Sequence, residues 1–298
     1  MIIYLFGATT PTGLAFERLC KEKFPNIKLV SLSRKHKKSN FVDLDDFNTF
    51  RPKSKEKFFI VSFSPIWKFT SFLDSIFLKK SYILKNLNGI ITCSSSSIYT
   101  KRFAFNKFDK KLYQNLNNSE SKLIKLSQTL KFSLCILEPT LIYGNVGPYK
   151  DNNINLILSL MRLFPFLIIP SRSGLRQPIH CSQLASVAIK KIEDFLNSSK
   201  ENFSKLAIGG DKIINFEEML CLIQRKYSQK NKLSRCFIVK IPNRIFYFAL
   251  SPIVILSPKL YESLLRINAD LSGFIKVSNI LKTKEKDFPL QNDKLLNN

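Results

Sequence analysis

The chain has 298 residues, of which 47 are Lys or Arg, 22 are Asp or Glu, and 45% are hydrophobic. That balance excludes general disorder and leaves enough chain to bury a core in one large domain or two intimate ones. The net charge of +25 invites a nucleic-acid partner, but Lys, Ile, Phe and Asn, all encoded by A/T-rich codons, are abundant together and the basic residues are spread along the chain. Genome composition therefore explains the charge better than nucleic-acid binding does, and a weak attraction to anionic membranes or anionic substrates stays open.

The N-terminus, MIIYLFGATTPTG, has no basic stretch ahead of its short apolar run. It reads as a first strand, Ile2 to Phe6, and not as a signal peptide. Pro11 to Lys23 has helical spacing, with Leu14, Phe16, Leu19 and Cys20 apolar, Thr10 suited to the N-cap and Pro11 to the first helical position. Further strands are expected at Ile27 to Ser33, Phe58 to Ser64 and Gly89 to Ser94, and another at Phe132 to Leu137 after a polar helical segment containing Glu120 to Leu130. Short apolar strands separated by helices predict a parallel sheet covered on both faces.

The second half is less regular. Asn152 to Phe164, Ser182 to Leu196 and Phe216 to Tyr227 read as helices and Leu206 to Gly209 as a short strand. Ile245 to Leu256 is apolar but about half the length a bilayer-spanning helix needs, and Pro252 interrupts it, so no membrane span and a cytoplasmic chain are expected. Six scattered cysteines without a CxxC pair read as reduced core residues. Lys35 to Lys38 and Arg51 to Lys57 look like basic loops, and the polar tail after Asp287 is expected to fray.

Gly7-Ala8-Thr9-Thr10-Pro11-Thr12-Gly13 lies between a predicted strand and a predicted helix, the context that gives a glycine loop meaning. Gly7 permits the tight turn, N–H groups at the helix start can hold a pyrophosphate, and Gly13 lets helix and sheet approach closely. The spacing resembles the extended, atypical short-chain dehydrogenase/reductase superfamily, the NAD-dependent epimerase/dehydratase family. The resemblance runs along nearly the whole chain, through Asp43 and Leu44, through Ser64 and Pro65, through the Ser94 to Tyr99 turn, through Glu138-Pro139-Thr140-Leu141-Ile142-Tyr143-Gly144 and through Arg176-Gln177-Pro178-Ile179-His180. It implies a Rossmann-like doubly wound α/β parallel sheet over residues 1–144, rejoined by 182–210, with a smaller substrate-capping region from 145–181 and 211–298.

By the same resemblance Gly7, Thr9, Thr10, Pro11, Thr12, Gly13, Ser33, Arg34, Asp43, Leu44, Ser64, Pro65, Ser94, Pro139 and Tyr143 contact a dinucleotide. Where NAD sites place an acid after the second strand, Arg34 stands here, and a guanidinium there favours NADP over NAD. Ser96, Arg172, Arg176 and Gln177 are the candidate substrate contacts, the arginines because guanidinium groups match a diphosphate.

The family's chemistry needs a Tyr and a Lys four residues apart on one helix, and no register of this chain supplies them. Counting back from Glu138 puts Leu112 and Leu116 at those places. A subgroup resembling bacterial nucleoside-diphosphate-sugar epimerases shares the Ser94 to Lys101 and Gly174 to His180 segments and also lacks the pair. Tyr99, Tyr113, Tyr143 and His180 remain as acid–base options, with Ser95 as a hydroxyl contact, Tyr113 the first choice and His180 the second. No metal-ligand cluster, HExxH or P-loop is present. The expectation is an NAD(P)-dependent epimerase, dehydratase or reductase of a nucleotide sugar or similar small molecule, with a homodimer left open. The alternatives are a catalytically silent dinucleotide-binding sensor, assembly factor or scaffold, and, on charge alone, an RNA- or membrane-surface protein.

Overall fold

Ile2 to Phe6 is apolar at every position because both faces of the strand are covered. The computed structural model describes residues 1–34, 40–52, 56–198, 201–228 and 236–290. The basic run Lys35 to Lys38, part of the Arg51 to Lys57 loop and the last eight residues of the tail lie outside the described residues. The first half folds as β1 (Ile2–Phe6), α1 (Pro11–Lys23), β2 (Lys28–Leu32), β3 (Phe58–Ser62), α2 (Ile66–Lys80), β4 (Leu87–Cys93), α3 (Ser97–Thr100), α4 (Lys107–Leu130) and β5 (Ser133–Pro139). The second half follows as β6 (Ile142–Tyr143), α5 (Asn153–Leu163), β7 (Phe166–Pro170), β8 (Leu175–Arg176), β9 (Ile179–His180), α6 (Cys181–Asn197), β10 (Phe203–Gly209), β11 (Ile214–Asn215), α7 (Phe216–Ser228), β12 (Phe237–Ile241), α8 (Asn243–Leu250), α9 (Ile253–Leu256), α10 (Pro258–Leu265), β13 (Ile275–Lys276) and α11 (Val277–Leu281).

Seven of the strands form one sheet in the order β13-β10-β5-β4-β3-β1-β2, every neighbouring pair parallel. Alternate residues serve opposite faces. Tyr4, Phe6, Ile60, Ile90 and Ile136 pack against Phe69 and Phe72 of α2 and Leu116 and Leu123 of α4. Ile3, Leu5, Val61, Ile91 and Leu137 pack against Phe16 of α1 and Leu184, Val187 and Ile192 of α6. This is the doubly wound α/β architecture that the alternation of strands and helices predicts.

Strand order reverses at β1, whose neighbours are β2 and β3, so a crevice opens beyond its C-terminal end, where such sheets bind ligands. A smaller region lies beyond the same edge. There β7 and β12 pair in parallel, β8 and β11 antiparallel, and β6 and β9 in parallel. Its own core gathers Ile154, Leu158, Met161, Ile169, Met219, Leu220 and Ile223. The C-terminal stretch does not stay in this region, since β13 returns to the central sheet beside β10.

One expectation is corrected. The chain after Asp287 does not fray at once, because Phe288 and Leu290 are buried. Phe288 packs edge-on against Tyr143 with ring centroids 4.9 Å apart, and the Leu290 N–H donates to the Tyr143 hydroxyl at 3.1 Å. Two apolar residues are enough to hold this stretch where a ready apolar surface meets them. Among the described residues, no helix is long and apolar enough to cross a membrane.

Candidate functional site

The loop after β1 is shaped by its glycines and by one threonine. Gly7 sits at φ +78°, and a Cβ on it would meet the Phe63 carbonyl carbon at 2.9 Å. Thr10 caps α1: its Oγ1 accepts from the Gly13 N–H at 3.0 Å and donates to the Gly7 carbonyl at 2.8 Å. Pro11 opens the helix, and Thr12 and Gly13 complete a buried first turn behind the loop.

In front of the loop is a cavity of about 290 Å³ whose lining includes Gly7, Thr9, Thr10, Ser33, Arg34, Asp43, Leu44, Ser64 and Pro65. It shares Leu32 and Val42 with an adjoining cavity of about 510 Å³. Nine residues singled out from the sequence thus converge on one space, brought there by the ends of β1, β2 and β3 and by the 40–46 loop. Thr9 and Ser33 hydroxyls meet at 3.3 Å, bridging the first two of these. Two charged residues missed by sequence reading join them. Lys68, from the first turn of α2, holds the Asp45 carboxylate at 2.8 Å, and that hydrogen bond keeps the carboxyl below the usual carboxylate range. Asp45 lies two residues beyond Asp43, which was the available signal.

Beyond β4 and β5 the chain makes a second polar centre. The Ser94 N–H donates to the Leu137 carbonyl at 2.7 Å, the Ser96 N–H to the Pro139 carbonyl at 3.0 Å, and the Ser95 hydroxyl accepts from the Ser97 N–H at 3.1 Å. Below this turn Ser94 donates to Glu120 Oε1. Lys205 Nζ lies 2.6 Å from Glu120 Oε2 and 3.0 Å from Glu138 Oε1, and the Tyr99 hydroxyl donates to Glu138 Oε2 at 2.6 Å. Glu120 and Glu138 are both buried, Glu138 at 0% exposure. Burial raises the Glu138 carboxyl, the Glu120 charge adds to it, and the hydrogen bonds from Tyr99 and Lys205 do not fully offset them. Burial and then the Glu138 carboxylate push the Tyr99 phenol up to about 12. A Glu inside the apolar strand SLCILEP was the sequence signal for this centre. Lys205, alternating with apolar residues in β10, was not recognisable as its partner.

The raised Glu138 carboxyl gives a stability prediction with a definite sign. Its proton affinity is higher in the folded than in the unfolded chain, so its contribution is fully present below the unfolded value and is lost as pH rises through the folded one. Glu138→Gln removes the surplus charge and keeps a polar atom for both Lys205 and Tyr99. The melting temperature of the variant should exceed that of the wild type by a few degrees at pH 8, roughly 2–4 °C per kcal/mol for large domains. The gap should close near pH 4. A variant that melts lower at pH 8 would show the charge to be better balanced than the geometry indicates.

The other candidates have structural partners. His180 caps α6: its Nδ1 accepts from the Ser182 N–H at 3.2 Å and lies 2.8 Å from the Ser182 hydroxyl, while its own N–H donates to Gln183 Oε1 at 3.1 Å. An accepting Nδ1 places the proton on Nε2. Tyr143 is buried, with its hydroxyl on Leu290, and burial raises its phenol strongly. Tyr113, half-buried on α4, packs among the apolar side chains of the α2–α4 face. Arg176 is buried and gives its donors to the carbonyls of Leu175, Ala269, Arg266 and Ile267. Gln177 spans from the Gly210 and Phe274 carbonyls to the Phe274 N–H. Arg172 is exposed, its backbone N–H on Asn243 at 3.1 Å. The structure therefore gathers Gly7, Thr9, Thr10, Ser33, Arg34, Asp43, Leu44, Ser64 and Pro65 on one cavity, while Pro11, Thr12, Gly13, Ser94, Ser95, Ser96, Pro139, Tyr113, Tyr143, His180, Arg172, Arg176 and Gln177 are not in its lining.

Start and cap region are tied together at Asp109. Its carboxylate, in the first turn of α4, meets Lys101 at 2.6 Å and Arg266 at 2.7 Å, and Asn106 at 3.0 Å. Burial opposes the charge, but these three partners outweigh it and hold the carboxyl well below the usual range. The stability that it adds is present above the unfolded value and is lost as pH falls through the folded one. Asp109→Asn should cost about 1–3 kcal/mol at pH 7. Thermal melts should converge for variant and wild type as pH falls below about 4; a constant gap down to pH 2 would refute the assignment.

No protein-family model and no curated protein matches the sequence. Solved structures do match in fold. The UDP-glucose 4-epimerase from Bifidobacterium longum, in complex with NAD+ and UDP, aligns at TM-score 0.62 and 11% identity over 96% of this chain and 94% of its own. The dTDP-glucose 4,6-dehydratase from Bacillus anthracis, in complex with NAD, aligns at 0.57 and 14% over 82% and 85%. RMD from Pseudomonas aeruginosa, complexed with NADPH, aligns at 0.52 and 11% over 82% and 87%. The chain thus shares the fold of extended short-chain dehydrogenase/reductase proteins.

Proposed function

We propose that the chain is an NAD(P)-dependent oxidoreductase, an epimerase, dehydratase or reductase acting on a nucleotide sugar or a similar small hydroxylated molecule. The observation that carries this reading is the cavity at the switch point of the sheet, in which the Gly7 loop, the capped start of α1, Arg34, Asp43 and Ser64 converge. Its residues fit a dinucleotide. The close approach at Gly7 and Gly13 leaves no room for side chains, and the N-cap of α1 lines the cavity, where a helix start favours a pyrophosphate. Arg34 would hold the 2′-phosphate of the adenosine end and Asp43 and Leu44 the adenine, all three lining this cavity, and Ser94 and Pro139 would hold the nicotinamide end. When bound, the nicotinamide supplies a two-electron hydride donor or acceptor.

Calorimetric titration with NADPH and NADH tests the reading directly, followed by turnover on UDP- and dTDP-hexoses. Binding of neither cofactor at millimolar concentration would end it. A second reading, a dinucleotide-binding sensor or scaffold without turnover, rests on one observation. At the place where the family's Lys would stand, Leu116 is 1% exposed and packed into the core, so that position offers the cofactor no charge. Tight NADPH binding without turnover on any sugar would favour it.

A further inference from the structure

Side chains from four elements meet under the C-terminal edge of the sheet, where the cap region closes over it. Glu138 enters from β5, Glu120 from α4, Lys205 from β10 and Tyr99 from α3. Leu134 and Ile136 of β5 belong to the α2–α4 face, and the period-two alternation of the strand carries Glu138 to the same side. Lys205 stands beside Ile136 in the parallel register of β10 and β5, so it shares that side. Long-range pairing alone produces the cluster.

We propose that Tyr99, backed by the Glu138 carboxylate, moves the proton on the substrate hydroxyl in place of the Tyr/Lys pair that α4 lacks; the inference rests on the oxidoreductase reading above. The charge arithmetic supports it. Two carboxyls face one ammonium, which leaves one negative charge in surplus when both are ionised. Burial penalises that surplus, so Glu138 has a standing affinity for a proton. Among the described residues, Tyr99, Glu120 and Lys205 are the titratable groups that act on it. Of the two carboxylates, Glu138 is the one that the Tyr99 hydroxyl reaches, while Glu120 meets Ser94 and Lys205.

Tyr99 joins Glu138 to the surface beside the cap region. Its hydroxyl reaches the buried carboxylate, while the residue as a whole is 51% exposed and its ring lies 6.4 Å from that of Phe274 between centroids. It also begins one helical turn after the Ser94 to Ser96 turn, which lies on the same sheet edge as the cofactor loop.

The step balances. The substrate O–H bond breaks and its proton goes to Tyr99 Oη, while the proton already on Oη passes to Glu138 Oε2. The neighbouring C–H bond breaks with its electron pair leaving as hydride, the species that a nicotinamide accepts, and a carbonyl forms. Glu138 ends neutral, and Lys205 and Glu120 remain as an even pair. Reduction runs the same transfers backwards.

Two measurements test this. Infrared titration of the chain without cofactor should show a protonated carboxyl band persisting to higher pH than that of an ordinary Glu. The band should vanish in Glu138→Gln and change frequency in Tyr99→Phe, which loses the hydrogen bond. A band unaffected by Glu138→Gln overturns the inference. Turnover of UDP-glucose and dTDP-glucose with NADP+ should fall at least about a hundredfold in Tyr99→Phe, the lower end of general acid–base contributions, with NADPH affinity within twofold of wild type. The wild-type rate should rise with pH as Glu138 ionises, and Glu138→Gln should lose that limb. Failure of NADPH and NADH to bind overturns the functional reading and this inference together. Binding and turnover that survive Tyr99→Phe overturn this inference alone.

Discussion

Gly13→Val is expected to abolish dinucleotide binding and to lower the melting temperature. A Cβ at Gly13 would lie 2.2 Å from the Gly7 carbonyl oxygen and 3.0 Å from the Ala8 Cα, both backbone atoms that cannot rotate away. Gly7 cannot retreat either, because its own φ of +78° and the approach of Phe63 fix it on the other side. The carbonyl that would be displaced is the acceptor for both the Thr10 N–H at 3.1 Å and the Thr10 hydroxyl at 2.8 Å. Moving it opens the turn and the cap together. Overpacking against backbone belongs at the upper end of its usual cost, on the order of 3 kcal/mol, or about 6–12 °C for a large domain. Affinity for NADPH should fall at least about a hundredfold by calorimetry. Gly273→Ala is the matched control: its φ is +86°, but nothing lies within 4 Å of the added Cβ, so only backbone strain of about 1–2 kcal/mol is paid and binding stays intact. Equal behaviour of the two variants would show that Gly13 is not where helix and loop make contact.

Arg34→Ala is expected to separate the two cofactors. The residue lies at the tip of β2 and lines the same cavity as the Gly7 loop. The acid nearby, Asp45, does not cancel it, because Lys68 holds that carboxylate at 2.8 Å. A phosphate–guanidinium hydrogen bond lost from a charged pair costs about 1.5–3 kcal/mol, or roughly 10- to 150-fold in affinity. NADPH should weaken by that factor and NADH by less than about threefold. The effect should shrink in high salt, since the guanidinium is exposed. Equal losses for both cofactors would remove Arg34 from the 2′-phosphate and return the choice to NAD.

What the amino-acid sequence determined by itself is local. α1 runs from Pro11 to Lys23, as its cap, its first-turn proline and its apolar spacing predict, because Thr10, Pro11 and the Leu14 to Cys20 pattern act within a few residues of one another. The central strands fall within a few residues of expectation, since a strand covered on both faces must be apolar throughout. Most residues around the cavity before the Gly7 loop were legible for a related reason: Gly7, Thr9, Thr10, Ser33, Arg34, Ser64 and Pro65 follow the ends of β1, β2 and β3, and strand ends in a parallel sheet share one edge. Tertiary structure decided the rest. Lys205 reaches Glu120 across 85 positions of chain, and no spacing rule links them; the parallel register of β10 with β5 sets Lys205 beside Ile136, on the face that α4 covers. His180 and Arg176 carry side chains suited to catalysis and to phosphate, yet the nearby helix start and the loop after α10 claim their hydrogen bonds. Phe288 and Leu290 sit in a polar tail and are buried all the same, because Tyr143 and its neighbours present the apolar surface they cover. A residue's type fixes what it can bond to, and the fold decides which of those partners stands within reach.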